Sequence, residues 1–288
     1  MAVVTNVDAE HLDHYGEMDA VRQAFVDFMD RIPFYGKIIA CVDDPELAAL
    51  LPRIRWTPTT YGRGEDCDLR VAVEGQDDAG TNLRMWLHGE ELGSCRIPLF
   101  GEHNALNAAG AAACGLELGL DFDVVAQALA TFGGVGRRLE RKGEVDGVLV
   151  VDDYGHHPTE LAVTLRALRQ SFQRRLVVVF QPHRYTRTRD HHREFAEVLA
   201  QADLVGILPI YAASEDPLPG VESELIAGRL EKELGTPVRR LADLDEAVQW
   251  AREEAGEGDL WLTQGAGDIT HLADLLLRVL REREEERS

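Results

Sequence analysis

Short apolar runs that alternate with helical patterns make up the second half of the chain. The runs lie near residues 148–152, 176–181, 204–210, 238–241 and 259–264. Between the first two runs, Leu161, Leu165 and Leu168 recur at the spacing of one helical face. Strict alternation of strand and helix, joined by right-handed crossovers, predicts a mostly parallel, doubly wound sheet of the Rossmann-like α/β class.

The first half of the chain opens with a related pattern. Ala-Val-Val-Thr-Asn, at residues 2–6, is typical of a short buried strand. Val21, Phe25, Phe28 and Met29 then recur at helical spacing, and residues 37–43 return to a strand-like pattern, so we expect a β-α-β unit. A buried parallel strand needs a neighbour on each side, and no upstream residues supply one for the first strand.

The pattern changes between residues 57 and 101. Short alternating segments, residues 68–73 and 83–87 among them, are separated by Gly, Asp and Asn turns and predict a small antiparallel sheet. Two helical patterns come next, at about 101–118 and 123–132. Gly133-Gly134-Val135-Gly136 then forms a flexible joint, so we predict two domains, residues 1–135 and 136–288.

Composition narrows the class of partner. The chain has 30 Lys and Arg against 51 Asp and Glu, a net charge of −21, which repels nucleic-acid backbones. The 4 cysteines are widely spaced, which argues against a disulfide framework or zinc knuckle. No apolar run is long enough to cross a bilayer, and no cleavable signal is recognisable. We therefore expect a cytoplasmic protein without nucleic-acid or membrane partners.

Polar clusters follow the predicted strands of the second domain. The run at 148–152 leads into Asp-Asp-Tyr-Gly-His-His-Pro, and the run at 176–181 leads into Gln-Pro-His-Arg-Tyr-Thr-Arg. Further clusters occupy residues 211–219 and 264–268. Because parallel strands end at one edge of their sheet, we expect these clusters to meet there, where open α/β sheets bind ligands.

Arginines dominate the cluster after the second run. Arg184 and Arg187 stand near His183, and a guanidinium binds carboxylate or phosphate through two parallel hydrogen bonds. The pair therefore suits an anionic substrate. The alternative is pairing with surface carboxylates, which we expect for Arg189 because Asp190 follows it directly.

The cluster after the first run carries two adjacent histidines before Pro158. Adjacent residues in an extended segment point in different directions, so one functional and one structural histidine are expected at His156 and His157 rather than a two-histidine metal site. Asp153 has two interpretations. It accepts hydrogen bonds from a ribose or holds a cation, or it caps the helix that starts near Thr159.

Three further groups keep two interpretations each. His11 stands among Asp8, Glu10 and Asp13, either as part of a magnesium site or as a structural residue. The side-chain amides of Asn104 and Asn107 lie on one helical face, where they either hydrogen-bond to the edge of a heterocycle or cap the helix. The glycines of Gly265-Ala266-Gly267-Asp268 either let backbone N–H groups face an anion or allow close backbone packing. There is no G-x-x-x-x-G-K-[ST] phosphate loop, serine elbow or cysteine nucleophile motif.

Six segments in order resemble the Mur ligase family over nearly the whole chain. They are Val-Val-Thr-Asn-x-x-x-x-His-x-Asp (3–13), Gly-x-His-Asn-x-x-Asn-Ala-Ala (101–109), Gly-Arg-Arg (136–138), Asp-Asp-Tyr-Gly-His-His-Pro-Thr-Glu (152–160), Phe-Gln-Pro-His-Arg-Tyr-Thr-Arg-Thr-Arg-Asp (180–190) and Gln-Gly-Ala-Gly-Asp (264–268). Two of them, around residues 152–158 and 181–187, are similar to the branch that joins L-alanine to UDP-N-acetylmuramate.

The resemblance implies ATP-dependent amide formation through an acyl phosphate, with Mg²⁺, in cytoplasmic peptidoglycan synthesis. It also implies a set of site residues. His11 would bind magnesium; His103, Asn104 and Asn107 would surround the adenine, with Arg138 and Asp153 near the ribose and phosphates; Tyr154, His156, His183, Arg184 and Arg187 would hold the muramoyl substrate and the incoming alanine, with His156, His183 and Arg187 catalytic.

The chain also departs from the family pattern. Family members carry an N-terminal domain that grips the uridine nucleotide, and their central domain starts with a phosphate-binding loop; this chain resembles the portion of a family member after that loop. Three hypotheses result: an incomplete ligase that is inactive alone, a binding half that works with a separate partner chain, or another amide ligase of the Mur or folylpolyglutamate type. The loop from His183 to Arg187 argues against the third.

Overall fold

The computed structural model of the chain describes residues 1–8 and 15–287. The chain divides into two compact units, with the boundary between Gly133 and Gly134. Both units combine helices with one six-stranded sheet, which confirms the expected mixed α/β class. Within the described ranges, no helix has the length and apolar character needed to span a membrane.

The N-terminal unit contains one sheet whose strands follow one another in chain order, β1 to β6. Pairs from β1 to β4 are parallel, and β4, β5 and β6 are antiparallel. The elements are β1 (Ala2–Val4), α1 (Met18–Asp30), β2 (Ile38–Cys41), α2 (Pro45–Leu50), a 3-10 turn (Leu51–Arg53), β3 (Thr59–Gly62), β4 (Leu69–Asp77), β5 (Gly80–Leu87), β6 (Glu90–Ile97), α3 (Glu102–Glu117) and α4 (Phe122–Thr131).

The predicted β-α-β unit and antiparallel strands are confirmed, but the antiparallel strands do not form a sheet of their own. They extend the parallel sheet, because β4 pairs with β3 through Tyr61 and Leu69. Helix α3 packs on this junction, where a Cβ on Gly110 would lie 3.0 Å from the Tyr61 hydroxyl. The small residue thus allows helix and sheet to approach closely and share one core.

Strand β1 lies at the edge of the sheet within the described part of the chain. It pairs with β2, and Ala2 and Val4 are buried while Val3 is 44% exposed. The predicted helix α1 is present. Val21 and Met29 are buried in it, whereas Phe28 is 49% exposed.

The C-terminal unit is a doubly wound sheet with strand order β11-β10-β9-β12-β8-β7. All neighbouring pairs are parallel except β7 with β8. The elements are β7 (Glu140–Val145), β8 (Val148–Asp153), α5 (Pro158–Ser171), β9 (Arg175–Phe180), α6 (Tyr185–Leu199), β10 (Leu204–Ile207), α7 (Glu224–Arg229) with a π turn (Leu230–Leu234), β11 (Val238–Arg240), α8 (Leu244–Glu254), β12 (Asp259–Gln264), a 3-10 turn (Asp268–His271) and α9 (Leu272–Arg287).

The five predicted strands are all present, although β10 ends at Ile207 rather than near residue 210. Strands β8 and β12 are buried along their whole length because helices cover both faces of the sheet. Strand β7 was not predicted. Its sequence, Glu-Arg-Lys-Gly-Glu-Val, is largely polar, and only Val145 of it is buried, as suits an edge strand.

The strand order decides where the polar clusters go. Strand β12 lies between β8 and β9, and β10 lies on the other side of β9. Since these strands are parallel, the loops that leave them emerge along one edge of the sheet. The predicted meeting of the clusters at this carboxyl edge is confirmed.

Candidate functional site

Four aromatic rings form a row along the carboxyl edge, and we call them the ring row: Tyr154, His156, His183 and Tyr211. Ring centroids are 5.1 Å apart between Tyr154 and His156, 5.4 Å between His156 and His183, and 5.7 Å between His183 and Tyr211. The row joins the loops after β8, β9 and β10. Three of its members, all but Tyr211, were predicted from the sequence as substrate-binding residues.

The loops after β9 and β10 are bonded to each other through their backbones. Tyr211 N donates to Pro182 O at 2.8 Å, and Arg184 N donates to Tyr211 O at 2.8 Å. Arg184 has a positive φ of 70°, a conformation that an arginine adopts only when its surroundings hold it. The paired loops therefore fix the direction from which the arginine side chains leave the backbone.

Glu215 supplies a second connection between the same loops. Its carboxylate accepts from the backbone N–H of Thr186 at 3.0 Å and from the Thr186 hydroxyl at 2.6 Å, at the first turn of α6. Burial is the largest single influence on the pKa of Glu215 and acts to raise it, but these hydrogen bonds together outweigh burial and lower the pKa. Glu215 thus caps α6 from a separate loop.

His183 lies at the centre of this arrangement. The guanidinium of Arg187 donates to His183 Nδ1 at 3.3 Å, one helical turn along α6. Burial lowers the pKa of His183 to about 4; neighbouring His156, Arg187 and Arg184 act in the same direction, and Glu215 opposes them. The imidazole is therefore neutral at physiological pH.

Two arginines flank the other end of the ring row. The Arg137 guanidinium lies 5.1 Å from the Tyr154 ring centre, and that of Arg138 lies 5.4 Å from it. Arg137 is held from below, donating to Asp152 at 3.0 Å and to Gly265 O at 2.6 Å. Burial raises the pKa of Asp152 even though Thr263 and Arg137 stabilise its charged form. Arg138 is half-exposed and pairs with Glu160 at 3.4 Å.

Asp153 is buried beneath this end of the row. Its carboxylate accepts from Leu139 N at 2.9 Å, from Gly155 N at 2.9 Å and from Gln264 Nε2 at 2.8 Å. The Gln264 amide also donates to Gly155 O at 2.6 Å. These bonds tie β8 and β12 to the loop that carries the ring row, and they show that the helix-capping interpretation of Asp153 was wrong.

Helix α5 is capped by other residues. His157 Nδ1 accepts from Thr159 N at 3.4 Å, and Glu160 accepts from His157 N at 3.1 Å, which together form a capping box. His157 thus takes the structural role expected of one histidine of the pair. A substrate contact for His156 stays a prediction.

The glycines after β12 allow close packing. A Cβ on Gly265, whose φ is +146°, would lie 2.8 Å from Gln181 O, and one on Gly267 would lie 2.6 Å from the Tyr211 ring. Gln181, which directly follows β9, donates to Asp268 and accepts from Ile269 N, so this segment is bonded to the loop after β9. The packing interpretation is confirmed. Beside it opens a cavity of about 450 Å³, lined in part by Leu208, Tyr211, Asp245 and Asp268.

The residues predicted to surround an adenine lie in the N-terminal unit, at the start of α3. Asn104 Nδ2 donates to Phe100 O at 2.8 Å, and Asn107 Nδ2 donates to Asn104 Oδ1 at 3.3 Å. His103 is half-buried beside them. The amides are therefore linked to each other and to the preceding loop, while their role toward a nucleotide stays a prediction.

No magnesium site can be built from the described part of the chain. His11 lies outside the described residues, and within residues 1–8 and 15–287 no group of three His, Cys, Asp or Glu side chains is arranged to hold a metal ion. The magnesium prediction therefore rests on the sequence resemblance alone.

Sequence reasoning missed three residues that organise the site. Glu215 was inside a predicted polar cluster but was not singled out, and Arg137 and Gln264 occurred only within the quoted segments. The signal that could have found them is weak, because each acts through a partner distant in sequence. Arg137 bonds Gly265, and Gln264 bonds Asp153.

Comparison with known proteins places these features in a family. Residues 1–115 match the model of the Mur ligase middle domain, and residues 137–267 match that of the Mur ligase glutamate ligase domain. The UDP-N-acetylmuramate–L-alanine ligase of Desulfosudis oleivorans is 45% identical over 278 residues, which is 96% of this chain and 61% of the relative. The enzyme of the same name from an Anaeromyxobacter species is 45% identical over 97% of this chain and 61% of its own length.

Solved structures of Mur ligases are also similar to this chain. A crystal structure of UDP-N-acetylmuramate-alanine ligase MurC from Thermotoga maritima matches with a TM-score of 0.80 and 25% identity, covering 99% of this chain and 60% of that protein. The MurF ligase of Thermotoga maritima, solved in complex with ADP, matches with a TM-score of 0.77 at 20% identity, over all of this chain and 62% of that protein, and shows likeness of fold. The chain thus spans about 61% of the length of the curated relatives it matches.

Proposed function

Because the chain belongs to the Mur ligase family, whose members form amide bonds at the expense of ATP, we propose that it contributes to the joining of L-alanine to UDP-N-acetylmuramate in peptidoglycan synthesis. The single observation that carries the choice of substrate is the name shared by the relatives at 45% identity over nearly the whole chain. The carboxyl edge of the C-terminal unit supports the proposal, since it gathers cationic and hydrogen-bonding side chains suited to anionic substrates.

In this reaction ATP would activate the muramoyl carboxylate as an acyl phosphate. The residues of the chain then bind and orient the two partners. Arg184 and Arg187 would engage carboxylate or phosphate oxygens, and the ring row would form the surface against which the reacting groups lie. Fixed cations and donors next to the carbonyl that is attacked stabilise the charge that develops there.

Two sets of residues are proposed to serve the nucleotide. We propose that His103, Asn104 and Asn107 face the adenine, and that Arg138 and Asp153 lie near the ribose and phosphates. Asp153 would act there through the loop it holds, because its carboxylate already accepts three hydrogen bonds from the fold. Magnesium, with His11 as a ligand, and a cytoplasmic location complete the proposal.

The chain's length relative to its relatives bears on its activity. It matches about 61% of the Desulfosudis oleivorans enzyme, and it has no phosphate-loop motif. We propose that the isolated chain does not ligate L-alanine and that the remaining part of the enzyme, joined to it or on a separate chain, is needed. Another Mur-type amide ligase is the alternative, which the loop from His183 to Arg187 disfavours.

A chimera tests this function. The portion of the Desulfosudis oleivorans ligase that has no counterpart here would be joined to this chain in the relative's order. Incubation with ATP, magnesium, UDP-N-acetylmuramate and single amino acids would be followed by phosphate release and mass spectrometry of the product. We expect alanine addition by the chimera and none by the chain alone.

Two outcomes would count against the proposal. A folded chimera that binds UDP-N-acetylmuramate but prefers another amino acid would refute the substrate assignment. Ligation by the unmodified chain would refute its inactivity. Arg189→Ala, which removes an arginine already paired with Asp190, serves as the matched control for substitutions at Arg187.

A further inference from the structure

The partner of His183 determines where its proton lies. Arg187 Nη1 lies 3.3 Å from His183 Nδ1 in a hydrogen bond. A guanidinium has donors only and keeps its charge in proteins, so Nδ1 must be the acceptor. A neutral imidazole carries one N–H, which places the proton of His183 on Nε2. A protonated ring would carry a hydrogen on both nitrogens and could not accept this bond.

His156 has the opposite arrangement. Its Nδ1 lies 3.3 Å from the carbonyl oxygen of Tyr154 and 3.8 Å from the Glu160 carboxylate. Both neighbours are acceptors, so Nδ1 must carry the hydrogen. The Nε2 atom of His156 then carries the lone pair of the neutral ring. Two rings 5.4 Å apart in the ring row thus have complementary tautomers.

The charged groups around the two rings favour this division. His183 faces Arg187 and Arg184 from α6 and its preceding loop, Glu215 from the loop after β10, and His156 from the loop after β8. Two permanent cations against one carboxylate disfavour a third positive charge on His183. Next to His156 stands Glu160, which favours a positive charge on that ring once it accepts a proton.

We propose that His156 and His183 divide the proton chemistry of the site, His156 accepting a proton at Nε2 and His183 donating a hydrogen bond from Nε2–H to an anionic oxygen. Arg187 is the positioning residue that sets the tautomer of His183. The assignment of substrates rests on the proposed ligase function, whereas the tautomers rest on the geometry alone.

Protons and electron pairs balance at each step of that reaction. An ammonium group of the incoming amino acid gives one proton to His156 Nε2, and the free amine attacks the carbonyl carbon of the acyl phosphate. A C–N bond forms and the C–O bond to phosphorus breaks, with the electron pair leaving on phosphate. The nitrogen then gives its second proton to the departing phosphate, which leaves the neutral amide. His183 Nε2–H stabilises the carbonyl oxygen while it carries negative charge.

The tautomers can be measured on the chain as it is. Long-range ¹H–¹⁵N NMR of ¹⁵N-histidine-labelled protein at pH 7 distinguishes protonated from bare ring nitrogens, and His156→Gln and His183→Gln assign the signals. We expect protonated Nε2 in His183 and protonated Nδ1 in His156. The same tautomer in both rings, or an imidazolium at either position, would overturn the proposal.

Arg187→Met tests the positioning role, since it removes the donor and keeps side-chain length. We expect the His183 tautomer to become mixed and its titration midpoint to rise, while the matched Arg189→Met leaves both unchanged. An unaltered His183 spectrum in Arg187→Met would refute that role. This measurement needs no ligase activity, so its failure is separate from failure of the proposed function.

The chimera with the Desulfosudis oleivorans portion tests the division of roles in the reaction. His183→Gln keeps an N–H donor and should stay within about tenfold of the unsubstituted rate, whereas His156→Gln removes the base and should lower the rate about 100-fold. Equal losses in the two variants, or a larger loss in His183→Gln, would overturn the division.

Discussion

The two edges of the C-terminal sheet differ in how their arginines are used. At the amino edge, Arg169, Arg174 and Arg175 line a cavity of about 460 Å³. At the carboxyl edge, Arg184 in the loop after β9 and Arg187 and Arg189 at the start of α6 lie near the ring row, beside which opens a cavity of about 450 Å³. Number of arginines and size of cavity therefore do not distinguish the two edges.

The two edges differ in how their guanidinium groups are paired. Arg169 bonds Asp203 at 2.9 Å, Arg174 bonds Glu144 at 2.8 Å, and Arg175 bonds Glu254 and the buried Asp259. The amino edge is thus neutralised by the fold itself. These ion pairs stabilise the loops at the amino edge of the sheet.

At the carboxyl edge Arg189 is neutralised in this way, by Asp190. The Arg184 guanidinium, in contrast, forms no hydrogen bond or ion pair with any residue in the described ranges, and its backbone is held at a positive φ. A positive charge that the fold positions without a direct carboxylate partner therefore distinguishes the proposed ligand edge, rather than arginine content.

Substitution of Arg187 is the most direct test of the difference between the two edges. In the chimera, Arg187→Ala should lower kcat/KM for alanine ligation about 100-fold, because one fixed donor to a developing anion typically contributes that much. Steady-state rates compared with Arg189→Ala measure the effect. Activity of Arg187→Ala equal to that of the control would mean that the two edges do not differ in function.

Arg175→Ala probes the amino edge. It leaves the Asp259 carboxylate, 5% exposed, without its cation, so we expect the free energy of unfolding to fall by about 1–3 kcal/mol. Urea denaturation of the isolated chain gives this value. Ligation by the chimera should be unchanged below its melting temperature, and a selective loss of activity would contradict the structural role of this edge.

Glu215→Ala should have a smaller effect on stability and a visible one on the site. Removing a helix cap costs about 1 kcal/mol, which thermal or urea unfolding can resolve. The loop with Arg184 loses its connection to Thr186, so binding of substrate by the chimera should weaken as well. Glu215→Gln keeps one acceptor and should lie between the variant and the unsubstituted protein. An unchanged KM in Glu215→Ala would refute the positioning role.

The smallest effect concerns pH. The pKa of His183 is about 4 in the fold against an ordinary 6.5, so between these values the unfolded chain binds more protons than the folded one. This contribution to stability is complete above pH 6.5 and is lost as the pH falls toward 4. His183→Gln should flatten the dependence of the unfolding free energy on pH in that window. Identical slopes in both proteins would show that His183 does not titrate as expected.

Much of this organisation was predictable because it depends on local pattern. The alternation of apolar runs and helical faces led to the five parallel strands, and the polar clusters behind them led to one edge of the sheet. The pairing of Arg189 with Asp190 followed from adjacency. Local pattern failed where the decisive contact was distant, as for Asp153, whose carboxylate bonds Gln264 rather than the start of α5.

The sequence by itself determined most of the elements, the parallel arrangement of five C-terminal strands and the family. Side-chain periodicity is a local property, and the spacing of motifs can be read directly along the chain. Only the tertiary structure decided which arginines other than Arg189 are neutralised and how the loops at the carboxyl edge are held. These features depend on partners far apart in the chain, such as Arg137 with Gly265 and Asp153 with Gln264. The histidine cap and the histidine tautomers depend on partners nearby in the chain, whose geometry is set only when the loops fold. The charge and hydrogen bonding of a side chain are set by the few groups within bonding distance, and those groups come together only when the strands pair and the loops fold.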